Sequence, residues 1–143
     1  MPTYKWNATT AANLATTELN NLANNTRVAG QILDNTITRA LFANLELAVQ
    51  FTVAPNADSL IQLYLLPSID GTNYADGSPT IAPGVESFTT NFVLKNTLNL
   101  QRIPAQRIPL DPFRYLPLIV NTSGQAFPAS GSTLRIASFS YES

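Results

Sequence analysis

The chain has no cysteine and no histidine. Without cysteine there is no disulfide, no zinc–thiolate site and no thiol nucleophile, a composition that fits synthesis in a reducing cytoplasm. Without histidine the usual general base and the commonest transition-metal ligand are missing. Charge is scarce as well. Only 12% of the 143 residues are charged, against 45% hydrophobic, and Thr, Asn, Ser and Gln fill the deficit. A net charge of -1 gives no general drive toward nucleic acid or an anionic membrane. No apolar run reaches the length of a membrane span, and the opening MPTYKWNATT has no apolar signal-peptide core. GxGxxG, phosphate-loop and GxSxG motifs are absent, so neither a cofactor nor an enzymatic activity is expected.

What is present is a strand pattern. Over "RALFANLELAVQFTV", Arg39 to Val53, the odd positions Leu41, Ala43, Leu45, Leu47, Val49, Phe51 and Val53 are apolar, with Asn44, Glu46, Gln50 and Thr52 among the residues between them. A period of two predicts a strand with one face buried and the other facing water or a partner. "LIQLYLLP", "SFTTNFVL", "FRYLPLIVN" and "STLRIASFSYE" predict four more, and "RVAGQIL" with "NTITRA" one or two shorter ones. Pro117 argues for an edge or a bulge in its strand. Ten prolines and the Gly/Asn/Asp clusters fall between or on the margins of these runs, with no long helix among them. The expected fold is all-β: an antiparallel two-layer, jelly-roll-like β-sandwich spanning 26–143. Residues 1–25 read as an N-terminal arm holding at most a short helix, with Leu14, Leu19 and Leu22 as a thin apolar stripe.

Two segments invite a chemical reading. "YLLPSIDGTNYADGSP", Tyr64 to Pro79, ends in a loop with Asp70, Asn73, Tyr74 and Asp76. An EF-hand starting at Asp70 would place Tyr74 where an oxygen ligand belongs and Ala75 where the glycine belongs, so that spacing fails. Asp-Gly pairs are also ordinary turn chemistry, and the loop reads first as a strand connection with Tyr74 as a packing or contact residue. A hydrolase using Asp70 with Asp76 or Glu86 would need a cleft that brings two carboxylates together. The second segment, "LQRIPAQRIPLDPFRYLP", sets Arg102, Arg107 and Arg114 among four prolines. It predicts a stiff, extended connector, or an interaction ribbon whose arginines clamp a partner's carboxylates or carbonyls.

"TTELNNLAN", "ANLELAV", "LYLLPSIDGTNYADG" and "RIPLDPFRYLPLIVNTSGQAFPASGSTLRIASFSYES" together resemble a family of small structural proteins of tailed bacteriophages. The resemblance implies a virion protein made in the host bacterial cytoplasm, a capsid decoration or cement protein with a jelly-roll-like body. It implies a homotrimer on the outer capsid surface that fastens neighbouring major capsid subunits. No catalytic, cofactor or metal residues come with it. On that reading Trp6, Leu14, Leu19 and Leu22 of the arm, with Arg102, Arg107 and Arg114, are the expected capsid contacts. The alternative is a carbohydrate- or receptor-binding sandwich of a phage fibre or tail, using Asp70, Asn73, Tyr74 and Asp76.

Overall fold

The computed structural model describes residues 5–7 and 10–142. Two antiparallel sheets face each other. The first has the order β2 (Thr10–Ala15), β10 (Thr133–Phe139), β5 (Phe42–Val49), β8 (Gln101–Pro109). The second has β9 (Arg114–Thr122) and β6 (Leu60–Ser68) at its centre, with β7 (Phe88–Val93) beyond β6. On the other side of β9 lie β3 (Thr26–Ala29) and the two-residue β4 (Leu33–Asp34). A short ribbon of β1 (Lys5–Trp6) and β11 (Tyr141–Glu142) completes the set. Of the connections between principal strands, only the one from β6 to β7 stays within a sheet; the rest cross over, which is jelly-roll wiring.

The inward residues of β5 alternate as their sequence requires, with Ala43, Leu45, Leu47 and Val49 all buried. They meet Ile61, Leu63 and Leu65 of β6, Tyr115 and Ile119 of β9, and Leu134 and Ile136 of β10 in one apolar cluster.

Residues 1–25 are not an arm among the described residues. β2 pairs with β10 along its length, and Leu14, Leu19 and Leu22 are 1%, 0% and 7% exposed inside the same cluster. These leucines are therefore core and unavailable to a partner, and no domain boundary falls at residue 25. The stripe looked thin because an edge strand followed by a 3-10 turn at Thr17–Leu19 needs only a few inward side chains. Asn121 locks this segment down: fully buried, it donates from Nδ2 to the carbonyls of Leu22 (2.9 Å) and Gln125 (2.8 Å).

The prolines find places that tolerate them. "QRIPAQRIP" is a strand rather than a connector, and it forms the free edge of its sheet, where a missing ladder donor costs least. Pro117 lies in central β9, but its neighbouring strand is interrupted over 30–32, between β3 and β4. Its carbonyl accepts from Gly30 N–H at 2.8 Å at that gap. "NTITRA" forms no strand; Asn35 is buried and its side chain holds this turn to the carbonyls of Ala40 and Asp111, both at 2.9 Å.

Candidate functional site

The loop after β6 is built for shape. Asp70 Oδ1 accepts from the backbone N–H groups of Thr72 (2.8 Å) and Asn73 (2.7 Å), and Oδ2 from Asn73 Nδ2 (2.9 Å). The Asn73 backbone N–H, then that of Thr72, hold the Asp70 carboxyl far below the usual carboxylate range. Gly71 at φ +80° supplies the left-handed residue the turn needs. Further along, Ala75 N–H donates to the Pro67 carbonyl (3.0 Å) and Arg27 Nε to the Ser78 carbonyl (3.2 Å), tying the loop back across the second sheet. No group of three or more possible metal-ligating side chains gathers among the described residues. Asp70 is thus a turn-organising group. Asn73 and Asp76 are exposed and Tyr74 half-buried along the same loop.

The arginines separate. Arg114 Nε meets Asp34 Oδ2 (3.3 Å) on the second sheet, whereas Arg102 Nη1 meets Glu46 Oε1 (3.0 Å) on the first. Both pairs are solvent-exposed and screened, so neither contributes much to stability. Arg107 does something else. Between β5 and β8 the register runs Ala43 to Ile108 and Leu45 to Ala105, so Gln106 and Arg107 together oppose the single residue Asn44. This is a β-bulge, a device that turns a strand's side chains out of their ordinary alternation. Arg107 sits at φ +55°, a left-handed conformation that costs a non-glycine residue about 1–2 kcal/mol. Its N–H donates to Asn44 Oδ1 at 3.0 Å. Its guanidinium carbon then lies 5.6 Å from the centroid of the Trp6 ring.

Trp6 reaches that position through β1, whose pairing sets it opposite Tyr141. The two rings stack at 4.4 Å, and Phe139 meets Trp6 edge-on at 5.1 Å. Phe42 closes the group against Phe139 and Tyr141. Such offset and edge contacts suit the aromatic quadrupole and leave polar groups room at the rim. Trp6 and Tyr141 remain 46% and 49% exposed.

A cleft of about 400 Å3 opens here, lined by Trp6, Asn44, Gln106, Arg107 and Phe139. A second hollow of about 350 Å3 shares Asn44 and Gln106 with it and runs on past Glu46, Pro104 and Arg135. The outer face of the first sheet therefore carries one continuous shallow groove, aromatic at one end and mixed polar and apolar along its middle. Of the residues singled out from sequence, Trp6 and Arg107 meet here, with Arg102 further along the same face. Asn44 and Gln106 were not candidates. The alternation of β5 already placed Asn44 on its open face, whereas nothing in the sequence reveals a bulge at Gln106.

A third groove, of about 530 Å3, follows the side of the sandwich where β7 and β8 are the free edges, lined by Val93, Lys95, Leu100, Arg102 and Ile103 among others.

No family model matches the chain, and no curated protein matches it. Among solved structures it is similar to the CBM36-1 domain of a multidomain xylanase from the hindgut metagenome of Trinervitermes trinervoides. That similarity has 14% identity, covers 94% of this chain and 96% of that one, and has a TM-score of 0.47. A carbohydrate-binding module of the β-sandwich superfamily matches at 13% identity and a TM-score of 0.39, over 99% of this chain and 56% of the other. The N-terminal cellulose-binding domain of Cellulomonas fimi β-1,4-glucanase C matches at 10% and 0.32, over 96% and 79%. At such identities and scores no functional residue is carried from these proteins to this one.

Proposed function

We propose that this is a non-catalytic structural protein of a bacteriophage virion, binding the outer surface of the head and fastening neighbouring major capsid subunits. The observation that carries the reading is the side groove between the free edges of β7 and β8. Val93 and Leu100 are 50% and 48% exposed there, beside the cations Lys95 and Arg102. Large apolar side chains open to solvent, on a surface with so few charges, are what a protein-docking edge requires. Pro104 and Pro109 leave the β8 edge poor in backbone donors, which favours side-chain packing over strand addition. The sequence resemblance to phage structural proteins supplies the partner. Many copies on a symmetric shell would let modest single contacts hold firmly.

The test is binding of the purified protein to undecorated heads. Saturable binding is expected, falling at least tenfold in a Val93→Asp, Leu100→Asp variant that keeps the wild-type circular dichroism spectrum. Absence of binding would remove the reading. Light scattering over a dilution series checks the trimer separately, since a persistent monomer would confine assembly to the shell.

A second reading, a saccharide-binding module, is favoured by the groove at Trp6. It replaces the loop of Asp70, Asn73, Tyr74 and Asp76 as the place for such a ligand, because Asp70 is occupied by its own turn. A glycan array whose hits survive Tyr74→Ala and vanish in Gln106→Ala would place the ligand on the sheet face.

A further inference from the structure

The groove at Trp6 is rich in donors. The Arg107 guanidinium has no carboxylate partner among the described residues, and its stack on Trp6 restrains it rather than neutralising it. Asn44, which lines the cleft, uses Oδ1 on the Arg107 backbone, and its amide donor makes no hydrogen bond to the described residues. Gln106 makes no side-chain hydrogen bond to the described residues, and Arg135 on the adjoining stretch makes none either. No carboxylate is among the described residues lining the aromatic end, and Glu46 further along is already paired with Arg102. A backbone conformation as uncommon as the one at Arg107, held inside a strand, gathers these donors at one point.

From this arrangement we infer that the groove is a binding site for a carboxylate-bearing saccharide, with Arg107 taking the carboxylate. The guanidinium fork matches a carboxylate in two parallel hydrogen bonds. The Asn44 and Gln106 amides are available to ring hydroxyls, and the half-exposed Trp6 gives the cleft an apolar wall beside them. The groove's continuation past Arg135 gives room for further sugar units. An acidic peptide offers the same charge, but the paired side-chain amides of Asn44 and Gln106 beside the arginine suit a ligand dense in hydroxyls, and the saccharide is favoured. This inference rests on the second reading above and is independent of the virion one.

The experiment is titration calorimetry of the full chain with galacturonate trimer, a hyaluronan tetrasaccharide and sialyllactose, each beside a neutral counterpart (galactotriose, cellotetraose and lactose). A tetraglutamate peptide serves as the protein-like arm. At least one acidic sugar is expected to bind at least tenfold more tightly than its counterpart, with affinity falling as salt rises. Arg107→Gly should lower that affinity at least tenfold, and glycine is the safe probe because it accepts the positive φ. Gln106→Ala, on an exposed side chain, should weaken binding with an unchanged melting curve. If no saccharide of either kind binds, the saccharide reading itself falls. If neutral and acidic sugars bind alike, or Arg107→Gly changes nothing, the carboxylate assignment falls while saccharide binding stands. Equal or tighter binding of tetraglutamate overturns the saccharide in favour of an acidic protein partner.

Discussion

The two outer faces of the sandwich have opposite fates. On the first sheet Asn44, Pro104, Gln106 and Arg135 stand in solvent and the face is an open groove. On the second sheet Leu66 and Leu118 are both 0% exposed, yet they lie outside the cluster between the sheets. Leu66 is covered by the loop of residues 69–84: a Cβ on Gly77 would lie 3.0 Å from Leu66 Cδ1. The difference is written in the strands. β5 alternates because only one of its faces is buried, whereas "LYLL" in β6 and "LPLIV" in β9 are nearly continuous in apolar residues because both faces are covered. The sandwich thus leaves one sheet face open and pads the other with its own loop.

The sharpest way to break this contrast is to strip the padded face. Leu66→Ala should cost about 2–5 kcal/mol in urea unfolding, as for any buried leucine whose site cannot collapse. A cost below 1 kcal/mol would mean that the loop does not seal that face. Leu19→Ala should cost a similar amount, which would set residues 10–22 with the core and not with a detachable arm.

Asp70 probes the cover itself. Its folded carboxyl is depressed, so its contribution to stability is fully present above the ordinary carboxylate pKa and is lost as pH falls below it. Asp70→Asn should therefore lower the melting temperature at pH 7, with the gap to wild type closing below about pH 4. A gap that does not change with pH would dissociate the turn from its charge.

On the open face the effects shrink. Arg107→Gly exchanges backbone strain for a lost exposed cation–π contact and should stay within about 1 kcal/mol of wild type. Gln106→Ala should change stability by less than about 0.5 kcal/mol. A large loss at either would mark the open face as structural instead of ligand-facing.

How far the sequence carried follows the same physics. β5, β6, β9 and β10 were legible because burial imposes a period or an apolar run on them, and β7 by its β-branched and aromatic residues, of which only Phe92 is buried. β2 was not, because "TAANLA" is mostly small and only Leu14 and Ala15 are fully covered. β8 was hidden by its prolines, which disqualify a central strand but not an edge. Trp6 and Arg107 were both singled out, for different reasons and in different segments. Their meeting depends on the pairing of β1 with β11 and on a one-residue bulge, and neither leaves a local signal.

That pairing also sets an order of events during synthesis. Among the described residues β1 pairs only with β11 and β2 only with β10, so these two early strands wait for two much later ones. A nascent chain can assemble β5 to β9 around their shared core, but Leu14 has no β10 to pair beside, and Trp6 no Tyr141 to stack on, until those later residues are made. Closure across nearly the whole chain is slow compared with local folding. The aromatic groove should thus form later than the sandwich core, and a chain cut after Ser140 would carry most of the sandwich without the stack of Trp6 on Tyr141.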